Sequence, residues 1–369
     1  MSTGPVGIGV IGAGVISTQY LSNLVTFPDV RVLFVADIDV ERARSRAEEY
    51  GVPGSGTVDE LLALDDVEIV VNLTIPAVHA EVAHRALDAG KHVWNEKPLA
   101  LDRAEADGLL EHARSAGLRL ACAPDTVLGA GIQTGLRAIR NGLIGTPTTA
   151  TTMMLSPGPE SWHPNPAFLF ARGGGPVLDI GPYYLTTLVA AFGSVYSVAA
   201  AASMAFPTRT VGSGPLAGTD FPVEVPTHYG TLLRFAEGGS AQSTFSFQSA
   251  LPRQGFVEIT GTEGVLVLPD PNRFDGDTLL WRRGQQEPET LPAVGSTAGR
   301  GIGAVDLARS IRSGEPERAN GVLAAHVLDV MLAIGEAADT DRFVPVASRV
   351  DHPQPLPDGW DPTAATLAA

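Results

Sequence analysis

Val6-Gly7-Ile8-Gly9-Val10-Ile11-Gly12-Ala13-Gly14-Val15-Ile16-Ser17 is the stretch whose reading decides the fold. A strand-like apolar run turns at Gly12 and passes into a helical pattern. In such a unit Gly12 permits the tight turn, and Gly14, lacking Cβ, lets the backbone approach a pyrophosphate. Ser17 takes the place of the fingerprint's third glycine and is small enough to disturb helix–strand packing only modestly. The helix from Val15 is expected to aim its free N–H groups and positive dipole end at the anion. A glycine pattern alone is a weak signal, but here an acidic residue follows at the right distance. Asp37 lies 23 positions beyond Gly14, just after the strand-like run Val30–Ala36. A carboxylate there accepts hydrogen bonds from a ribose diol and repels a 2′-phosphate, which favours NAD and leaves NADP as the alternative. The competing role for Asp37 is an N-cap of the helix at Val40, which Asp39 could also supply. Gly12, Ala13, Gly14, Val15, Ile16, Asp37 and Ile38 are thus candidate cofactor contacts.

Outward from this unit the alternation continues. Ile69–Leu73, His92–Trp94 and Leu118–Ala121 are continuous apolar runs, as expected of parallel strands covered on both faces. Helical patterns lie between them: Val40–Tyr50 before Gly51, Ala77–Ala89 before Gly90, and a helix opened by Asp102 and Glu105 that runs to Gly117. Residues 1–123 are therefore expected to form a doubly wound α/β domain. The remainder reads as an α+β domain over residues 124–350. A helix near 129–141, a strand at 148–155 and a helix from the Gly173–Gly175 triplet to Phe192 come first. Closely spaced strands follow at Ser197–Phe206, Thr227–Phe235, Ala241–Phe247, Val257–Thr260, Val265–Leu268 and Leu279–Trp281, which predicts a large, mostly antiparallel open sheet. Helices at Ala304–Ser313 and Gly321–Ala338 are expected to cover one face of it, and residues 351–369 to form an extended tail.

Bulk properties narrow the function. At 369 residues there is room for two cores, and a formal charge of −16 disfavours nucleic acid and anionic membranes as partners. Cys122 is the only cysteine, so no intrachain disulfide forms, and no secretory signal pattern is read at the start; a cytoplasmic setting is expected. The uncharged stretch 180–208 is broken by Gly181, Pro182, Gly193 and Pro207, so it reads as a buried helix and a strand rather than a membrane span. No metal-ligand spacing is present.

Several segments together resemble the Gfo/Idh/MocA family of oxidoreductases: Gly9–Gly14 with Asp37, Thr74-Ile75-Pro76 with His79, Ala89-Gly90-Lys91-His92-Val93, Glu96-Lys97-Pro98, and Gly173-Gly174-Gly175 leading to Asp179-Ile180-Gly181. The resemblance implies a Rossmann domain plus an α+β domain whose open sheet makes a homodimer or homotetramer. It places Thr74, Ile75, Pro76, His79, Glu96 and Lys97 toward the nicotinamide end, with helix-start packing as the other reading of His79. It suggests a cis Lys97–Pro98 bond and implies that Lys97 contacts the reacting hydroxyl, where an ammonium stabilises developing alkoxide charge. His92, His84 and His112 are read as packing residues.

Family members carry Asp-x-Gly-x-His after the triplet, whereas this chain has Asp179-Ile180-Gly181-Pro182-Tyr183. Asp179 and Tyr183 are four apart and share a helix face. A phenol with a pKa near ~10 is a poor base unless its anion is stabilised, which a nearby lysine ammonium would do. Tyr183 is the expected acid/base; in the alternative Lys97 takes the proton and Tyr183 orients the substrate. Trp162 and His163, in a loop stiffened by Pro164 and Pro166, are candidate substrate contacts through ring stacking and hydrogen bonding, as is Asp125. The expected function is hydride transfer between nicotinamide and a hydroxyl carbon of a sugar, polyol or cyclitol. An NAD-dependent glycosidase using transient hydride removal and a non-catalytic sugar or dinucleotide sensor are the alternatives.

Overall fold

The computed structural model describes residues 3–367, and the chain divides into two units. The opening stretch folds as β1 (Val6–Ile11), α1 (Ser17–Leu24), β2 (Val30–Ala36), α2 (Val40–Tyr50), β3 (Gly54–Gly56), α3 (Val58–Leu62), β4 (Ile69–Asn72), α4 (His79–Asp88), β5 (His92–Asn95), α5 (Arg103–Ala116) and β6 (Leu120–Cys122). Local chemistry sets the helix ends. Asp39 accepts from the Arg42 N–H at the start of α2, Thr57 and Glu60 form a capping box on α3, Asp102 accepts from the Glu105 N–H, and Gly51 and Gly117 end α2 and α5 in the left-handed conformation. The six strands make a parallel sheet in the order β3-β2-β1-β4-β5-β6. The order reverses between β1 and β4, and the crevice outside the carboxyl ends of strands at such a reversal is where open α/β sheets bind ligands.

The chain continues through α6 (Ala130–Arg140), β7 (Pro147–Leu155), α7 (Gly175–Phe192), β8 (Val195–Ser203), β9 (Thr208–Thr210), β10 (Asp220–Pro222), β11 (His228–Phe235), β12 (Ser240–Ser246), β13 (Gln254–Gly261), β14 (Gly264–Leu268), β15 (Thr278–Arg282), β16 (Glu289–Leu291), α8 (Ile302–Ser313), α9 (Gly321–Thr340) and β17 (Val344–Pro345). Nine strands form one sheet, β16-β15-β14-β13-β7-β12-β11-β8-β17, antiparallel except where β7 runs parallel to β12. Its pairing register aligns Val198, Leu233, Ala241, Ala150, Ile259, Leu266 and Leu280 in one buried row across seven strands. On this face lies α7, with Tyr184 edge-on to Phe245 and Phe192 stacked on Phe235. The uncharged stretch 180–208 is the body of α7, the turn at Gly193 and β8, so it is a buried helix and a strand as its glycines and prolines predict.

Two expectations about the second domain are corrected. The continuous block 124–350 is interrupted: residues Gly295–Ala325 belong with the first unit, as do those from Pro353 onward, while the second unit comprises Gly131–Val294 and His326–His352. Accordingly α8 does not cover the nine-stranded sheet. It packs on β5 and β6, with Gly303 so close to Trp94 that a Cβ would lie 2.0 Å from the indole ring. Arg309 donates to Asp29 at 2.7 Å and Arg312 to Glu68 at 2.6 Å, tying this helix to the first unit. Amphipathic spacing shows that a helix buries one face, but not against which sheet. The described residues after Pro353 form no helix or strand, and Asp29 holds them by accepting from the Thr366 and Leu367 N–H groups.

Candidate active site

In the first unit the glycine turn has the shape a dinucleotide needs. Gly12 is left-handed (φ +103°), and a Cβ there would sit 2.7 Å from the Leu73 carbonyl oxygen, so no other residue fits without displacing backbone. Above Gly14 a Cβ would meet nothing within 4 Å, which leaves the turn open to a bulky group. Helix α1 begins at Ser17 rather than at Val15, and no side chain caps its start. The Ser17 hydroxyl turns inward to the Gly14 carbonyl at 2.7 Å. Val15, Ile38 and Ile75 are exposed large apolar residues just beyond β1, β2 and β4. This combination of open turn, uncapped helix start and uncovered apolar side chains fits a dinucleotide.

Asp37 is buried at the end of β2. One of its carboxylate oxygens accepts from the Ala13 N–H at 2.7 Å, which locks the glycine turn to β2, and the other accepts from the Asp39 N–H at 2.9 Å. Arg42, on the first turn of α2, grips both oxygens. Burial pushes the Asp37 carboxyl up, but the Arg42 and backbone donors outweigh it and hold the group below the usual carboxylate range. The helix cap is Asp39, not Asp37. Arg42 was not among the candidates read from the sequence. Its signal was its place five residues after Asp37, where a cation can meet a 2′-phosphate.

The Glu96-Lys97-Pro98 turn follows β5 and is braced from below. Glu96 is buried, and its carboxylate accepts from the Tyr20 hydroxyl at 2.8 Å and from the Lys97 N–H at 3.0 Å. Trp94 donates its indole N–H to the Tyr20 oxygen at 3.2 Å. Lys97 is half-buried, and the Lys97–Pro98 bond is cis as the resemblance suggested. Glu96 thus carries the turn on its buried carboxylate. The tyrosine that braces it, Tyr20, gave no local signal in α1.

His79 opens α4 and is 1% exposed. Its Nδ1 lies 2.7 Å from the Pro98 carbonyl and its Nε2 3.0 Å from the Thr74 carbonyl. Burial lowers the pKa of this imidazole, while the two carbonyls and Glu96 pull it up; a neutral ring donates to one of the two carbonyls, and only the charged ring donates to both. Asn72 and Asn95 complete the network. Asn72 Oδ1 accepts from the Thr74 N–H and hydroxyl, and its amide donates to the His79 carbonyl and to Asn95 Oδ1. Asn95 in turn donates to the carbonyls of Glu96 and Leu99.

Asp125 is used internally: fully buried, it pairs with Arg300 at 3.2 Å and accepts from the Gly301 N–H at 2.7 Å at the start of α8. That engagement corrects its expected role as a substrate contact, because both the guanidinium and the helix start claim its oxygens. His92 accepts from the Arg119 N–H at 2.9 Å and is pushed down by burial to about 4, which makes it a neutral packing residue. His84 and His112 stack on one another between α4 and α5. Burial pushes the Cys122 thiol up, so it stays protonated. Among the described residues no group of three metal-ligating side chains occurs.

In the second unit Asp179 and Tyr183 both lie in α7, Asp179 half-buried and Tyr183 6% exposed. Pro182 sits between them in the helix interior and has no N–H to give its turn. A Cβ at Gly181 would reach only an ordinary 3.5 Å contact with Met331, so no close approach demands glycine there. His163 Nδ1 accepts from the Asn165 N–H at 3.1 Å, which assigns the ring proton to Nε2 and leaves that edge a donor. Burial lowers the His163 pKa, with the negative charge of Asp179 pulling it up. Trp162 is 64% exposed and meets His163 edge-on. The loop carrying both is pinned by buried Arg209, which binds Glu160 and the Pro157 and Phe247 carbonyls, and by the Gly212 N–H donating to the Glu160 carbonyl.

Residues 6–123 match the oxidoreductase family with an NAD-binding Rossmann fold, and residues 132–267 match the GFO/IDH/MocA C-terminal domain. The chain belongs to the GFO/IDH/MocA family. It is 30% identical over 265 residues to the 1,5-anhydro-D-fructose reductase of Ensifer adhaerens, a match covering 70% of this chain and 74% of that one. To the trans-1,2-dihydrobenzene-1,2-diol dehydrogenase of Bos taurus it is 28% identical over 266 residues, covering 71% and 74%. A solved levoglucosan dehydrogenase, in complex with NADH and L-sorbose, shares the fold with a TM-score of 0.81 at 22% identity, over 94% of this chain and 100% of that one. As a GFO/IDH/MocA protein, the chain is an NAD-binding oxidoreductase.

Proposed function

We propose that this protein is a dehydrogenase moving hydride between the nicotinamide of NAD(P) and a hydroxyl-bearing carbon of a sugar, polyol or cyclitol. The observation that carries the reading is the Glu96-Lys97-Pro98 turn, a half-buried lysine held at a strand's carboxyl end by a buried carboxylate and a buried tyrosine. When bound, the dinucleotide supplies acceptance and donation of hydride. The backbone of Gly12, Ala13, Gly14, Val15 and Ile16 holds its pyrophosphate, Asp37 and Ile38 its adenosine side, and Thr74, Ile75, Pro76, Glu96 and Lys97 its nicotinamide side. Lys97 binds the substrate hydroxyl and stabilises the charge that develops on its oxygen as the proton leaves. Asp179 and Tyr183 orient that hydroxyl, and Tyr183 takes or returns the proton. Trp162 offers a face for an apolar sugar surface, and His163 donates through Nε2. Sugar and diol names among the relatives support the substrate class.

A screen of sugars, polyols and cyclitols with NAD and NADP, read by absorbance of the reduced cofactor, tests the reading. The active substrate should produce net NADH, which a glycosidase using hydride only transiently would not release. Lys97→Ala should lower kcat/KM by about 10²- to 10⁴-fold while NADH still binds. Tyr183→Phe should lower kcat similarly, and the double variant should lose little more, because residues acting as one unit are not additive. Full turnover in Lys97→Ala would end the proposal.

We also propose that copies of the chain associate through the nine-stranded sheet. Opposite the face under α7, its register places Ala199, Leu232, Gln242, Thr151 and Glu258 side by side, all half-buried or exposed in the single chain. Light scattering should give a dimer or tetramer mass and Thr151→Arg a smaller one; a monomer mass for the unaltered chain would overturn this.

A further inference from the structure

We infer that His79 is a positioning residue whose two ring nitrogens hold the Thr74 turn and the Glu96-Lys97-Pro98 turn in register. This rests on the reading that Lys97 meets the reacting hydroxyl. The two turns leave neighbouring strands, β4 and β5, and strand pairing ends at Asn72 and Asn95. Beyond that point no ladder fixes one turn against the other. His79 fills the gap: Nδ1 reaches the Pro98 carbonyl directly after Lys97, and Nε2 reaches the Thr74 carbonyl. The imidazole is enclosed and Pro98 beside it is buried, so losing the contact on that side leaves a buried acceptor short of a donor, while the Thr74 side is only partly buried. Asn72 and Asn95 fasten the same two turns to their own strands and to each other, which makes the bracket rigid rather than a single hinge. The ring's backbone is itself held, because the His79 carbonyl accepts from Asn72. Both nitrogens are thus taken up by backbone, and the residue works through Thr74 and Lys97 rather than on the substrate.

The bracket can be cut one side at a time. An asparagine amide nitrogen occupies roughly the place of imidazole Nδ1, and a glutamine amide nitrogen that of Nε2. His79→Asn keeps a donor beside the Pro98 carbonyl and removes the ring nitrogen beside Thr74; His79→Gln keeps a donor beside the Thr74 carbonyl and removes the nitrogen beside Pro98. The chain contains two lysines, Lys91 and Lys97. Reductive ¹³C-methylation therefore gives one lysine NMR signal that reports on Lys97 and one internal reference, Lys91, whose ammonium donates to the Leu64 carbonyl.

His79→Asn should weaken NADH binding, followed by fluorescence titration, by about five- to tenfold, the loss expected of one hydrogen bond, with the Lys97 signal in place. His79→Gln should shift or broaden the Lys97 signal and weaken NADH binding less than His79→Asn does. With the substrate found by the screen, His79→Gln should lower kcat more than it raises KM. Equal behaviour of the two variants, at melting temperatures close to that of the unaltered protein, would overturn the inference, as would unchanged NADH affinity and an unmoved Lys97 signal in both. Failure of the functional reading shows separately, as full turnover in Lys97→Ala with the NMR and fluorescence pattern intact.

Discussion

On the proposed cofactor reading, Asp37 and Arg42 set a contest over which dinucleotide the site prefers. The carboxylate repels a 2′-phosphate, and the guanidinium clamped on it is the nearest cation such a phosphate could use. While the pair is closed the arginine is spent on the carboxylate, so NAD is the expected choice. Asp37→Ala should free Arg42 and raise kcat/KM for NADP relative to NAD by about 10- to 100-fold, one to two steps of ~1.4 kcal/mol each; adding Arg42→Ala should remove the gain. The pH dependence follows from the depressed carboxyl. Asp37 stays ionised above the ordinary carboxylate value of about 3.9, and its charge is lost only as pH falls through the lower folded-state value. The preference for NAD should therefore be flat from neutral pH down to mild acid, and a preference that switches near pH 7 would contradict the assignment. At this scale the sequence is legible where function is local. Gly12, Gly14, Asp37 and Lys97 declare themselves by spacing to a strand end. Tyr20 does not, because its partner Glu96 is 76 residues away. Asp125 misleads for the same reason: its place after the last parallel strand suggests a ligand contact, and only the fold reveals Arg300 beside it.

Among elements, those with strong local chemistry are the ones the sequence foretells. Helices α2 and α5 end where Gly51 and Gly117 take the left-handed conformation, and both start at an aspartate that accepts a backbone N–H. The inward-facing row of the large sheet shows as alternation, with Ile259 and Leu266 buried between half-exposed neighbours. Short strands escape this reading. Gly54-Ser55-Gly56 has no strand propensity and forms β3 only because β2 offers an edge to pair with. The β9–β10 hairpin is similarly brief, yet the Arg209 it carries pins the Trp162–His163 loop. That loop could be read as proline-stiffened from sequence, but what it leans on could not. Helix α8 marks the limit of pattern reading at this scale. Its apolar face is plain, and its choice of β5 and β6 depends on the absence of a side chain at Gly303, which admits the Trp94 ring.

The whole molecule differs most from a reading along the chain, because the first unit is assembled from three separate stretches. Three buried groups in its first stretch depend on the later two. Asp29 needs Arg309, Thr366 and Leu367; Asp125 needs Arg300 and Gly301; Trp94 is covered by α8 at Gly303. The edge strand β6 also gains its outer partner late, through the Cys122 N–H donating to the Ala319 carbonyl. Removing one partner of a buried ion pair costs about 3–5 kcal/mol, so two such losses approach the whole stability of a domain, about 5–15 kcal/mol. A fragment ending at Ala130 should therefore show no cooperative thermal transition, although it contains every strand of the parallel sheet. Restoring the missing stretches should restore folding. Ala130 donates its N–H to the Ser296 carbonyl at 2.9 Å, so a short Gly/Ser bridge can replace residues 131–294, and a longer flexible one 326–352. Near-UV circular dichroism during melting distinguishes the two proteins. A cooperative transition in the short fragment, within a few degrees of the relinked one, would mean that the late segments decorate this unit rather than complete it.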